Sequence, residues 1–359
     1  MSVEITRRDY SLIGRDSKLA VETGLSAAQW YACPISRKQL KELMKCKDGP
    51  AIRDTAIWFA ALFASGALGV YFWGSWVAVP FFLIYGVIYG SSSDSRWHEC
   101  GHGTAFKTRW MNDFVYHIAC FMILREPTIW RWSHTRHHTD TIIVGRDPEI
   151  ASPRPPDIVG ILLNVFALRS SVIAVKHMAL HAIGRLTEEE KTFVPDMERW
   201  KVYLIARIYL AILACVIAAC LIVRSIAPAM IIGLPTLYGA FLAIYFGLTQ
   251  HAGLAEDVLD HRLNSRTVYM NPIFRFLYWN MNYHVEHHMF PMIPYHALPR
   301  LHEAIKQDCP PAYPSTIAAY REILPTIARQ LRDPTYFVRR ELPAGARSEA
   351  AGAPTLATR

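Results

Sequence analysis

The chain is poor in charge. Asp, Glu, Lys and Arg make up 19% of its 359 residues against 52% hydrophobic residues, and the mean hydropathy is +0.13. An average soluble enzyme carries more charge and less apolar surface, so that class is excluded. Thiol motifs are missing too. None of the seven cysteines (Cys33, Cys46, Cys100, Cys120, Cys215, Cys220, Cys309) stands in a C-x2-C pair, and two lie within one apolar run. A disulfide framework, a zinc ribbon and a built-in iron–sulfur domain are thereby excluded. The formal charge of +8 comes without a basic stripe interleaved with aromatics. Nucleic acid is therefore not an expected partner; an anionic membrane surface or an acidic redox partner is. Residues 1–50 are polar and mixed in charge, and the first apolar run begins too late for a signal peptide. No internal repeat of fixed period is present.

What the chain has is long apolar runs in pairs. The first pair covers roughly 55–73 and 76–91, joined by the aromatic turn Phe72-Trp73-Gly74-Ser75-Trp76. The second covers roughly 203–223 and 229–249, joined by Arg224-Ser225-Ile226-Ala227-Pro228. Each run is near the ~20 residues that a membrane-spanning helix needs, and Trp73 and Trp76 suit an interfacial hairpin tip. Weaker apolar stretches near 114–124 and 158–175 read as interfacial or re-entrant helices. The hairpin tips carry almost no Lys or Arg, Arg224 excepted. The positive-inside rule then places both termini and the central segment in the cytoplasm, with a bacterial inner membrane as the expected setting. The expected fold is all-α and membrane-embedded: two helical hairpins, about four spans, under a cytoplasmic helical cap. The organisation that follows is an N-terminal arm (1–53, some helix near Arg37–Lys47), a membrane domain (54–305) and a C-terminal segment (306–359). An Ala/Pro/Gly tail, read as disordered, runs from Leu342.

Three histidine clusters lie beyond the apolar stretches: His98 and His102 in WHECGH, His134, His137 and His138 in HTRHH, and His284, His287 and His288 in HVEHH. With 15 histidines in 359 residues, about 0.03 H-x2-H-H triplets are expected by chance, and the chain has two. On a helix each spacing puts its imidazoles on one face. Eight imidazoles exceed the needs of one ion, and structural zinc prefers four ligands with thiolate among them. The clusters therefore point to a pair of transition metals with open positions, iron being favoured. His251 ends the fourth apolar run on the same side and is a candidate ninth ligand.

Carboxylates among the histidines (Glu99, Asp140, Asp147, Glu149, Glu286) suit orientation of imidazoles through the free ring N–H. Asp147 equally suits a helix-capping turn. His177 and His181 also have H-x3-H spacing but lie far from any span end, where an interfacial helix face is expected. His117 reads as core or interface, and His261, His296 and His302 as candidate donors to the ligands. Trp97, Trp130, Trp132, Tyr278, Trp279 and Tyr283 are candidate channel walls. Arg96, Arg125, Arg131 and Arg136 are candidate partners for a free-acid head group.

These motifs resemble the integral-membrane fatty acid desaturase/hydroxylase superfamily, whose three histidine boxes stand here as HECGH (98–102), HTRHH (134–138) and HVEHH (284–288). The run NYHVEHHMFPMIPYHALPRLH (282–302) is similar to the third box and its sequel in acyl desaturases. QHAGL (250–254) matches the place of a further histidine ligand. The resemblance covers roughly residues 50–305. It implies two non-haem Fe ions held by His98, His102, His134, His137, His138, His251, His284, His287 and His288. It also implies O2 as co-substrate and removal of hydrogen from an unactivated C–H bond of a fatty acid or acyl lipid. Desaturation is the simplest outcome; hydroxylation, demethylation and decarboxylation to a terminal alkene share the site. No HPGG haem motif is present, so a separate electron donor is implied: ferredoxin, rubredoxin, or cytochrome b5 with its reductase. A non-catalytic metal binder or transporter would carry ionisable residues inside the spans, and the runs near 55–91 and 203–249 hold almost none.

Overall fold

The computed structural model describes residues 8–26, 28–344 and 346, and within them the chain is helical, with two isolated bridges (Thr267 with Tyr283, Val268 with Tyr313) and no strand. The first hairpin pairs the 24-residue helix Asp48–Tyr71 with the 13-residue helix Ala78–Gly90. Glycines let the two approach. A Cβ on Gly66 would lie 2.8 Å from the Tyr85 ring, and one on Gly69 would lie 3.0 Å from the Phe82 ring. The buried Trp58 indole donates to the Ile88 carbonyl at 3.0 Å and ties the pair further.

The second hairpin departs from expectation. Arg199–Val223 is a single 25-residue helix, but the return run 229–249 is broken into Ala227–Ile231, Pro235–Tyr238 and Phe241–His251. Pro235 has no N–H to offer the preceding turn, and Gly233 adopts φ +100, which a side chain would strain. The break also serves packing: a Cβ on Gly239 would fall 1.8 Å from the Gly86 carbonyl oxygen, so the two backbones touch. Carbonyls freed by the break find new donors. Ser91 Oγ donates to Gly239 O at 2.5 Å, Tyr85 OH to Ile231 O at 2.8 Å, and Tyr238 OH to Met230 O at 2.9 Å. Irregular backbone at this depth is tolerable only when its polar groups are satisfied in this way.

Two stretches, Arg37–Tyr71 and Asp196–Val223, are long and apolar enough to cross a bilayer. The bent pair Ile158–Asn164 and Leu168–Ala182, at 84°, makes a third if it counts as one span. Only 11% of the apolar window of Asp196–Val223 is buried in protein. The stretch expected near 114–124 forms the amphipathic helix Arg109–Met122, packed against Ser92–Gly101.

Ala78–Gly90 runs on into Ser92–Gly101 with a break only at Ser91, so the first hairpin delivers the first histidine box directly. The N-terminal arm is helical at Arg15–Glu22 and Arg37–Leu43. Its Cys33 and Leu43 pack with Val285, Met289, Leu298 and Leu301 around the third box. The helix Thr316–Gln330 lays Ala319, Ile323 and Ile327 on Ala252 and Val268. The terminal tail lies outside the described residues at 345 and from 347 onward.

Gly86→Leu should separate the two hairpins, since overpacking a tight contact costs about 1–3 kcal/mol or more. A fall of several degrees in the thermal midpoint of the detergent-solubilised protein is expected. Gly49→Ala, where an added Cβ meets nothing within 4 Å, should leave the midpoint unchanged.

Candidate metal centre

Local sequence sets each box on a helix with defined ends. Glu126 caps the helix Pro127–Thr139, its carboxylate accepting from Ile129 N at 2.6 Å, and Pro127 opens the first turn. His137 and His138 fall in the last turn, where the helix dipole favours them as partners of positive charge. The first box ends at His102, and Gly103 at φ +71 stops the helix there. The third box is the six-residue helix His284–Met289, entirely buried.

Nine histidines converge in two groups. His98, His102, His134, His138 and His287 form one; His137, His251, His284 and His288 form the other. Within each group the donor nitrogens lie within 4.8 Å of one another. The H-x2-H-H spacing explains the division. Residues i and i+4 lie 40° apart around a helix, whereas i+3 and i+4 lie about 100° apart. His134 and His138 therefore serve the first group while His137 turns to the second. His284 and His288 serve the second while His287 turns to the first. The two triplets do not present one face each, as the spacing alone suggested; each straddles both groups.

The ring nitrogens are sorted as metal ligation requires. Nδ1 of His134 faces Glu149 Oε2 at 3.0 Å, Nδ1 of His137 faces Asp147 Oδ2 at 2.8 Å, and Nδ1 of His251 donates to Asn264 O at 2.8 Å. A ring that donates from Nδ1 leaves a bare lone pair on Nε2. Those Nε2 atoms face one another: His102 to His134, His134 to His138 and His138 to His287 at 3.1 Å, and His251 to His284 and His284 to His288 at 2.9 Å. Nitrogens about 2.1 Å from a metal stand about 3.0 Å apart at right angles and about 3.4 Å apart in a tetrahedron. The observed gaps are of the size that ligands sharing one ion need.

Electrostatics agree. Burial and mutual repulsion hold His102, His138, His284, His287 and His288 well below the ordinary imidazole range, so these rings stay neutral at pH 7. Burial works against the Glu149 carboxylate, yet His134 outweighs it and brings Glu149 down to about 2. Glu99 is fully buried between His98 (3.3 Å) and His287 (3.6 Å), and burial pushes it up to about 8. Two divalent ions would bring a charge of +4, and the carboxyl groups of Asp147, Glu149 and Glu99 lie against rings that would hold them.

Other candidates fall out differently. Asp147 fills both of its expected roles: besides His137 it accepts from Ile142 N (2.8 Å) and Glu149 N (2.7 Å), shaping the turn. Asp140 and Glu286 do not orient the nine rings. Asp140 pairs with Arg146, and Glu286 with His302 (2.5 Å) and Thr267 (2.5 Å), because each points off the histidine face of its helix. His261 is buried 5.2 Å from the His288 ring, stacked on Trp30, and belongs to neither group. His117 is exposed and His296 half-buried, and neither belongs to the groups.

Trp97, Tyr278 and Trp279 are core rather than channel wall: each is at most 3% exposed. None of the six aromatics borders the cavity of about 70 Å³ that lies against His137 and His251, walled by Ile142, Leu248, Ala252 and Leu254. The four arginines proposed for a head group are engaged elsewhere. Arg96 binds the carbonyls of Phe276 and Leu277; Arg125 pairs with Asp94 and stacks on Trp97 and Trp130. Arg131 pairs with Asp113, and Arg136 binds Thr192 O. Asn264, Thr141 and Ser265 were missed. Asn264 holds His251 through its backbone carbonyl and Thr141 O through its side chain (3.1 Å), contacts no local motif announces.

Asp147→Asn should lower metal affinity about 10–100-fold, because the His137 tautomer is no longer enforced, while leaving the fold intact. Metal content after dialysis, with circular dichroism as control, checks this. The depressed imidazoles also set a pH dependence. Below about pH 6.5 the unfolded chain binds protons that the folded metal-free chain does not, so metal-free stability should fall as pH drops through that value and recover as it rises. Thermal midpoints at pH 7.5, 6.5 and 5.5 measure it.

A fatty acid desaturase family model matches residues 74–320, more than half of the chain, with all three boxes inside. The sn-1 oleoyl-lipid 12-desaturase of Synechocystis is 29% identical over 114 residues, covering 30% of this chain and 32% of that protein. The acyl-lipid (9+3)-(E)-desaturase of Dimorphotheca sinuata is 25% identical over 279 residues, 67% of this chain and 72% of that one. A Synechocystis sn-1 acyl-lipid omega-3 desaturase (ferredoxin) is 37% identical over 126 residues, 33% and 34% of the two chains. The match thus spans about a third of the Synechocystis proteins. With the family model covering more than half of the chain and all nine histidines of the site, the chain belongs to the fatty acid desaturase family.

Proposed function

We propose that this protein is an O2-dependent, non-haem di-iron desaturase acting on a fatty acid or the acyl chain of a membrane lipid. The observation that carries this reading is the convergence of nine imidazoles in two adjacent groups, with several Nε2 atoms 2.9–3.1 Å apart and several Nδ1 atoms tethered. His98, His102, His134, His138 and His287 would hold one iron, and His137, His251, His284 and His288 the other. Such a pair, once bound, supplies the dioxygen chemistry that removes hydrogen from an unactivated C–H bond.

The protein's own share is placement and exclusion. Glu149, Asp147 and the Asn264 carbonyl hold three rings in one tautomer. All nine ligand rings are buried or half-buried, which keeps bulk water from the reacting atoms. The cavity beside His137 and His251 has room for a few molecules the size of water or dioxygen. Desaturation is favoured over hydroxylation by the printed activities of the relatives, all of them desaturases.

In the bilayer we place four crossings in two hairpins, the fourth as the broken run from Ala227 to His251. Residues 54–305 form the catalytic unit, with 1–53 and 306–359 flanking it. Both termini and the metal site face the cytoplasm, supported by hairpin tips almost free of Lys and Arg. A separate soluble one-electron donor is required, of ferredoxin, rubredoxin or cytochrome b5 type. The net charge of +8 suits an acidic one, and one relative's name specifies ferredoxin.

Purified protein should carry close to two irons per chain, and His137→Ala should lose metal and activity together. Gas chromatography with mass spectrometry of lipids and volatiles from expressing cells should reveal a new internal double bond. A hydroxylated chain, or a terminal alkene one carbon shorter, would instead assign the same site to the sister reactions. Full activity without iron would sink the di-iron reading.

A further inference from the structure

Away from the nine histidines, a second kind of donor set is assembled by different elements. His177 and His181 lie one turn apart on the helix Leu168–Ala182, and Glu190 opens the 3-10 turn Glu190–Thr192. Their donor atoms lie within 4.8 Å of one another. His177 Nδ1 is 3.2 Å from Glu190 Oε1, and His181 Nε2 is 3.1 and 3.0 Å from the two carboxylate oxygens. The expectation of an interfacial helix face fails for His181, which is 2% exposed, and Glu190 is 5% exposed.

Glu190 is held in place independently of the histidines. Thr187 N donates to Glu190 Oε2 at 2.7 Å while Glu190 N donates to Thr187 Oγ1 at 3.2 Å, the reciprocal pair of a capping box. A simple N–H bond selects one oxygen, whereas His181 Nε2 stands equidistant from both, where a shared cation would be bordered by all three atoms. Both ion-pair partners of the buried carboxylate are these imidazoles. Half-buried His177 leaves the solvent side open for a water ligand. Two imidazoles, one carboxylate and an open position form the donor set of mononuclear zinc and non-haem ferrous sites.

We propose that His177, His181 and Glu190 bind a divalent first-row transition ion, Zn2+ in preference, at a third metal site separate from the nine-histidine centre. Its effect reaches the second box: Arg136 donates to Thr192 O at 3.1 Å, so a cation that locks Glu190–Thr192 to the Leu168–Ala182 helix also steadies the arginine between His134 and His137. The site does not depend on what occupies the nine-histidine centre.

The test is calorimetric titration of ZnCl2 into the full-length, iron-loaded protein in detergent, with iron counted before and after. Wild type should take up one further equivalent with unchanged iron. His177→Ala, which leaves the His181–Glu190 contact in place, should weaken that uptake by more than the about 10–100-fold that loss of an outer hydrogen bond to a ligand costs. Glu190→Gln should do the same, with thermal midpoints reporting whether it folds. Anaerobic Fe2+ taken up in place of zinc, and lost in the same variants, also supports the site. Absence of the extra equivalent in wild type, equal uptake by wild type and His177→Ala, or iron loss that accompanies zinc loss would each overturn it.

Discussion

Nine imidazoles that converge in two groups, several with Nε2 atoms 2.9–3.1 Å apart and most of them buried beyond the reach of water, form the constraint on which this structure depends. Where two bare lone pairs meet, protonating one ring would relieve the repulsion only by leaving a positive charge on a buried imidazole. A metal cation removes the repulsion without that cost. The surrounding carboxylates are arranged accordingly: Asp147, Glu149 and Glu99 lie within reach of ring nitrogens, Asp147 and Glu99 buried and Glu149 half-buried.

Holding that arrangement requires stiff, well-located helices, and the membrane part of the chain supplies them. Ala78–Gly90 continues into the first box, so the position of His98 is inherited from the glycine-notched packing of the first hairpin. The broken return run does the same for His251. Its contact with Gly86 and its bond to Ser91 anchor Phe241–His251 beside the same helix. These apolar helices thus set the relative heights of two of the four ligand-bearing elements.

Legibility followed the range of the interactions. The three boxes and His251 could be read because i, i+3 and i+4 relations are local and need no knowledge of the fold. Glu149 and Asp147 could be guessed from proximity in the chain. Asn264, 13 residues beyond His251, could not, since a backbone carbonyl carries no side-chain signature. The fourth run failed as a continuous helix because hydropathy measures apolarity and ignores the Gly86–Gly239 contact that breaks it. Trp279 and Arg96 were misassigned for a related reason. Their stacking, 4.9 Å from guanidinium to ring, belongs to the core and uses residue types that a channel or head-group site would also use.

By itself, the sequence determined that this is an apolar helical chain carrying histidine boxes at ligand spacing, because helical period and hydropathy are properties of neighbours. Only the tertiary structure decided that each H-x2-H-H triplet is shared between two groups, five rings in one and four in the other. It alone also decided that Glu286 and Asp140 serve other partners, and that His177, His181 and Glu190 meet. The physical reason is the same in each case. A helix assigns directions to its side chains, but which element waits in each direction is settled by packing between segments far apart in the chain.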